Sequence, residues 1–166
     1  MRVLVTAASK HGSTAAIAEV IARRLSAARF EVTLTSPDKV EAVEPYDAIV
    51  LGSAVYAGRW IESARRFAEG ASDVLAAKPV WLFSSGPVGD PPQPIEESPD
   101  GTKLAATLAA RQHRVFAGKL DRSDLGLIER AVVGAVRAPD GDFRAWDEIE
   151  AWADSIAEDL AAVAAG

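Results

Sequence analysis

The chain opens on an apolar run without strict alternation, Arg2 to Ala7, which breaks at once into the polar stretch Ser9 to Thr14. A strand buried on both faces has this pattern, because it has no solvent side to mark with polar positions. Apolar residues then return at helical spacing, with Ile17, Val20, Ile21 and Leu25 on one face. The pattern recurs down the chain. Phe30–Thr35, Tyr46–Leu51, Pro79–Phe83 and Arg114–Ala117 read as further strands. Ile61–Glu69, Thr102–Ala110, Asp124–Val136 and Phe143–Ala164 read as helices, the last with Ile149, Ala153, Ile156 and Leu160 aligned in a stripe. Gly52–Trp60 and Ser84–Asp100 read as loops, the second carrying Pro87, Pro91, Pro92, Pro94 and Pro99.

Strands alternating with helices predict an α/β fold, an open five-stranded parallel sheet covered on both faces. The 166 residues suit one domain spanning 1–166, with no linker or internal repeat. In such sheets ligands bind outside the carboxyl ends of the strands, where strand order reverses. The loops after the first, third and fourth strands all fall at that edge. In the first of them, Ser9, Ser13 and Thr14 supply hydroxyl donors. Gly12 allows close backbone approach, Lys10 and His11 add charge, and Ser13 or Thr14 is the expected N-cap. Free N–H groups and the positive end of the helix dipole converge there, so the loop predicts a cradle for a phosphate monoester. It has neither the spaced glycines of a dinucleotide fingerprint nor the Gly-Lys-Ser/Thr of a P-loop.

Composition narrows the chemistry. A formal net charge of -6 argues against a nucleic-acid partner. With Cys 0, thiolate metals, iron–sulfur clusters and thiol redox steps are excluded, so redox work requires an organic cofactor. His11 and His113 have no ligand spacing, and no metal site is expected; His113 reads as a residue leading into a strand. No apolar run approaches a membrane span or a leader, which sets a cytoplasmic expectation. No acid, base or nucleophile stands out. Asp90 and Lys119 are the nearest candidates for moving a proton, and both read as surface charges.

Taken together, these stretches resemble the flavodoxin family over nearly the whole chain. The resemblance implies a flavodoxin-like three-layer sandwich with strand order 2-1-3-4-5 and FMN as cofactor. Ser9-Lys10-His11-Gly12-Ser13-Thr14 matches the family's phosphate loop. Ser53-Ala54-Val55-Tyr56-Ala57-Gly58-Arg59 and Ser84-Ser85-Gly86-Pro87-Val88-Gly89 match the two segments that enclose the isoalloxazine ring. Tyr56 or Trp60 is then the expected wall against the ring, and Ala57-Gly58 the peptide that responds when the reduced flavin takes up a proton. Two departures stand out. The second ring segment has no aromatic, so Pro87 and Val88 cover that face or leave it open. Arg59 stands where acidic residues are usual, and a cation beside the ring would raise its potential. The phosphate loop, Gly52 to Trp60, Phe116-Ala-Gly-Lys-Leu120 and Asp142-Phe-Arg-Ala-Trp146 look like the branch that includes menaquinone-dependent protoporphyrinogen oxidase. However, Asp121 to Arg137 lacks that branch's basic, aromatic character and has no strong cationic face for a membrane.

The expected function is electron transfer through FMN, with redox partner proteins or a small-molecule donor and acceptor. A protoporphyrinogen oxidase-like enzyme passing electrons to a quinone, and a phosphate-ligand module without redox chemistry, stand as alternatives. A deazaflavin in place of FMN is compatible with the same residues. Receiver-domain signalling is excluded, since Ala7, Ala8, Leu51 and Gly52 occupy the places its acidic residues need.

Overall fold

The computed structural model describes residues 1–86, 98–120, 141–142 and 144–166. The expected helix Asp124–Val136, the residues Pro87, Val88, Gly89 and Asp90, and Phe143 lie outside the described residues. Strands β1 (Arg2–Ala8), β2 (Glu31–Thr35), β3 (Ala48–Tyr56), β5 (Val80–Ser85) and β6 (Gln112–Phe116) form a parallel sheet in the order β2-β1-β3-β5-β6. A short strand β4 (Arg59–Trp60) folds back antiparallel on β3. Setting β4 aside, this is the 2-1-3-4-5 order expected from the sequence. Helices α1 (Ser13–Ala27), α2 (Glu62–Gly70), α3 (Ser72–Ala76), α4 (Pro99–Thr107) and α5 (Trp146–Ala165) complete the layers. A separate two-stranded ladder pairs β7 (Lys119–Leu120) with β8 (Gly141–Asp142).

The non-alternating strands are apolar because each face of the sheet has its own core. Val3, Val5, Val50, Trp81 and Phe83 pack toward α1 and α5, against Ile17, Ile21, Leu25, Ile149, Ile156 and Leu160. Leu4, Ile49, Leu51 and Leu82 pack on the other side with Trp60, Ala64, Leu75 and Leu104. Both helical stripes read from the sequence are buried, and the terminal one gains Trp152. Trp152 meets Phe83 and Phe116 edge-on, with ring centroids 6.1 and 5.4 Å apart, a geometry aromatic quadrupoles favour; Phe83 and Phe116 are tilted at 6.2 Å.

Several expected boundaries shift, each for a local reason. β3 continues through Gly52 and Ser53 to Tyr56 instead of ending at Leu51, since Gly52, Ser53 and Ala54 still find partners in β5. The expected loop Gly52–Trp60 is therefore a strand end and a hairpin. The chain from Ser84 to Asp100 is not all loop either. Ser84 and Ser85 belong to β5, while Pro99 and Asp100 open α4, with proline at the first position where its missing N–H costs nothing. α4 ends before the expected Ala110, and Ala109 adopts a left-handed φ of 49°. α3 was not foreseen, because five residues are too few to display a helical period.

Gly52 is a packing glycine. A Cβ there would lie 2.2 Å from Cζ of Phe83, whose ring is wholly buried and crosses β3 at this point. Gly52→Ala is expected to destabilise the fold by about 1–3 kcal/mol through overpacking, read as a lower urea midpoint; an unchanged midpoint would contradict this packing.

Candidate functional site

At the carboxyl edge of the sheet, β1 ends at Ala8 and α1 begins at Ser13, leaving four residues to reverse the chain. Gly12 makes the turn in the left-handed region, with φ 85°, and it rather than Ser13 or Thr14 is the N-cap. The reason lies in Ser9, whose Oγ accepts the Gly12 N–H at 3.1 Å and pulls the chain into this turn. Ser13 and Thr14 thus become the first helical residues. Among the described residues no side chain caps α1. The Gly12 carbonyl accepts from Ala16 at 3.0 Å, so the amides of Ser13, Thr14 and Ala15 have no intrahelical acceptor. No described residue lies within 4 Å of where a Gly12 Cβ would stand. The turn therefore gathers N–H groups and the positive end of a helix dipole.

Two further loops close on this one. Tyr56, at the end of β3, is half-buried. The His11 ring meets it edge-on at 6.2 Å, and Lys10 Nζ lies 5.6 Å from its ring centre. After Tyr56 the chain reverses through Ala57 (φ 48°) and Gly58 (φ 77°), with Tyr56 facing Arg59 and Val55 facing Trp60 across the hairpin. Positive φ at both central residues makes this a two-residue turn of the primed kind that matches strand twist. At the end of β5, Gly86 comes so close to β3 that a Cβ would lie 2.9 Å from Cβ of Val55, and Gly118, beyond β6, packs against Ser85 and Gly86. The segments after β1, β3, β5 and β6 therefore meet at one edge.

Behind the edge, side chains expected at the site prove to be structural. Trp60 is 1% exposed and points into the core, where its Nε1 donates to Ser84 Oγ at 2.8 Å. It is no wall for a ring, and Tyr56 remains as the rim aromatic. Ser84 Oγ also bonds His113 Nε2 at 2.8 Å, so His113 lies inside β6 and ties it to β5 rather than merely leading into the strand. Ser53 Oγ donates to the Ala54 carbonyl and accepts the Ile61 N–H at 2.9 Å, fixing the start of α2. Ser53, Ala54, Ser84, Ser85 and Thr14 are all buried, and Ser53–Ala54 and Ser84–Ser85 pair with neighbouring strands of the sheet.

Arg59 is held by Asp100. Its Nε lies 2.7 Å from the Asp100 carboxylate, which also accepts the Trp60 N–H at 3.0 Å and has Arg65 at 4.0 Å. Burial pushes the Asp100 carboxyl up. The hydrogen bonds from Arg59 and Trp60 and the charges of Arg59 and Arg65 outweigh it and hold the group below the usual carboxylate range. Arg59, whose charge would raise a flavin's potential if it stood beside the ring, is thus paired with a carboxylate. Neither Asp100 nor its tie to the hairpin was foreseen from the sequence, where Asp100 closes the expected loop.

With this geometry in view, the comparisons are specific about the family. The flavodoxin domain family matches residues 4–145. The chain belongs to that family. No curated protein matches the chain. Among solved structures, oxidised flavodoxin 2 from Bacillus cereus is 23% identical with a TM-score of 0.67, covering 96% of this chain and 99% of that one. Rubredoxin oxygen:oxidoreductase from Desulfovibrio gigas superposes with a TM-score of 0.70 at 14% identity, covering 99% of this chain and 37% of that one. This chain therefore spans little more than a third of that neighbour's length. Two-electron reduced Megasphaera elsdenii flavodoxin gives a TM-score of 0.58 at 17% identity, covering 83% of this chain and 100% of that one. FMN is the cofactor that family membership implies. The residues present fit it, with an uncapped helix start for a phosphate and a rim aromatic beside a glycine-containing turn for a planar ring.

Two outcomes follow. Ala57→Gly relieves a left-handed alanine and is expected to stabilise the fold by roughly 0.5–1 kcal/mol; a loss of stability in thermal melts would mean the turn is not strained. The Asp100 tie contributes stability above the ordinary carboxylate range, which is lost as pH falls through its lowered pKa. Wild type should exceed Asp100→Asn in urea midpoint at neutral pH, and the gap should narrow as pH falls below the ordinary carboxylate range. A gap independent of pH would refute the ion pair.

Proposed function

We propose that the chain binds FMN at the carboxyl edge of its sheet and carries electrons through it between redox partners. The observation that carries this reading is the convergence of an uncapped α1 N-terminus with Tyr56 and the Ala57–Gly58 turn on one edge. Bound FMN supplies one- and two-electron transfer, and the protein supplies binding, orientation and electrostatics. In this reading the amides of Ser13, Thr14 and Ala15, with the Ser9 and Ser13 hydroxyls, hold the phosphate. Lys10 and His11 flank it and bridge to Tyr56, which stacks on the ring. The backbone from Val55 to Arg59 and at Ser84, Ser85 and Gly86 meets the ring's polar edge, with the Ala57–Gly58 peptide as the group that responds to protonation there. Pro87, Val88 and Gly89 complete the second ring segment in the same reading. The net charge of -6 suits partners with a basic face. Among the described residues no helix is long and apolar enough to cross a membrane, which is compatible with a cytoplasmic carrier.

One observation favours a second reading, a flavoenzyme of the protoporphyrinogen oxidase kind. Two of the segments that carry that resemblance meet, Lys119 of one pairing with Asp142 of the other. Titration of the apoprotein with FMN, followed by spectroelectrochemistry, separates the readings. Stoichiometric binding with two resolved one-electron steps is expected for a carrier. Tight binding with a single two-electron step and turnover of a quinone would favour the enzyme. A protein indifferent to FMN would remove both.

A further inference from the structure

After β6 the chain returns to the α1 N-terminus twice. The Lys119 N–H, in β7, donates to Ser13 Oγ at 3.2 Å. β8 pairs with β7, Asp142 opposite Lys119. The Asp142 carboxylate accepts from Arg144 Nε at 2.8 Å and Nη2 at 2.6 Å, and from the Arg144 backbone N–H at 3.2 Å. The third arm of the guanidinium, Nη1, comes within 3.5 Å of the Ser13 carbonyl, and its plane lies 4.5 Å from the Trp146 ring centre. The Arg144 side chain is 11% exposed. The Arg144 hydrogen bond holds the Asp142 carboxyl below the usual carboxylate range, against the opposing effect of burial.

The count of hydrogens at Ser13 gives this arrangement a purpose. A hydroxyl has one hydrogen and two lone pairs. Because Lys119 N–H occupies a lone pair, the Ser13 hydrogen is left to donate elsewhere, and an oxyanion at the α1 N-terminus is the acceptor its position serves. Arg144 adds little net charge there, since its fork is spent on Asp142. What a bidentate pair adds is rigidity in a fixed plane, which a lysine cannot reproduce.

We propose that the β7–β8 ladder, clamped by Arg144 and Asp142, is a second wall of the phosphate cradle that fixes the Ser13 hydroxyl as a donor to the phosphate. Arg144 is a positioning residue that acts through Ser13 and not through its charge. This rests on the FMN reading, and deepens it by assigning phosphate selectivity to residues outside the Ser9–Thr14 loop.

The test compares FMN with riboflavin, which has the same ring and no phosphate, by fluorescence titration of the apoprotein. Ser13→Ala should weaken FMN binding about 10- to 100-fold, as expected for a hydrogen bond to a charged group. Arg144→Gln and Arg144→Lys should each weaken it about 3- to 10-fold, and Ser13→Ala/Arg144→Gln should match Ser13→Ala alone, because the two act as one unit. Riboflavin affinity should stay unchanged in each of these variants. Asp142→Asn, which keeps the ladder's backbone, should reproduce Arg144→Gln and serves if the arginine variants fold poorly. Wild-type affinity in Arg144→Lys, multiplicative losses in the double variant, or an equal loss of riboflavin would each overturn the proposal. If wild type prefers FMN over riboflavin and Arg144→Gln leaves that preference intact, only this inference fails. If wild type shows no preference, the FMN reading fails with it.

Discussion

A parallel sheet buried on both faces can present polar groups only at its ends, and that constraint organises this protein. β1, β3 and β5 are closed on one side by α1 and α5 and on the other by α2 and α4, with apolar side chains directed both ways. Unpaired backbone at the carboxyl ends has to be met by turns, by neighbouring loops or by a ligand. At β1 the chain turns into a helix through a left-handed glycine with no side-chain cap. The result is a concentration of donors that an anion satisfies better than water does.

The rest of the edge is built to hold its loops still. Trp60, Ser84 and His113 link β4, β5 and β6 through one hydroxyl, and Gly101 lets α4 sit against them, since a Cβ there would come within 2.5 Å of the His113 ring. Asp100 grips the outer strand of the hairpin at both Arg59 and Trp60. A binding edge made of backbone and rim residues needs such support, because a ligand site is only as well positioned as what anchors it.

Most of the fold was legible in the sequence because its signal is periodic. The stripes Ile17–Leu25 and Ile149–Leu160 and the apolar runs of the strands each follow from burial on a known face. The turn from strand to helix at Ser9–Thr14 was legible too, although Gly12 rather than Ser13 or Thr14 makes the cap. What was not legible depends on contacts between residues far apart in the chain. Nothing local to Trp60 says that its indole will find Ser84 in the core rather than a ligand at the rim. Asp100 reads as the last residue of a loop until Arg59 is brought beside it. The ladder of two-residue strands β7 and β8 is too short to carry any period, so Arg144 stayed hidden until Asp142 and Ser13 were seen around it. The hairpin at Ala57 was missed for a related reason, as alanine is not the residue a left-handed turn usually selects.

The most direct test of the account is where FMN binds. Amide chemical shifts of the isotope-labelled apoprotein, followed by NMR as FMN is added, report each N–H separately. The account predicts the largest shifts at Gly12, Ser13, Thr14 and Ala15, with a second group from Tyr56 to Arg59 and at Ser85 and Gly86. Shifts that leave the α1 N-terminus untouched, or that cluster instead along the groove between Asp38–Glu44 and α2, would contradict it.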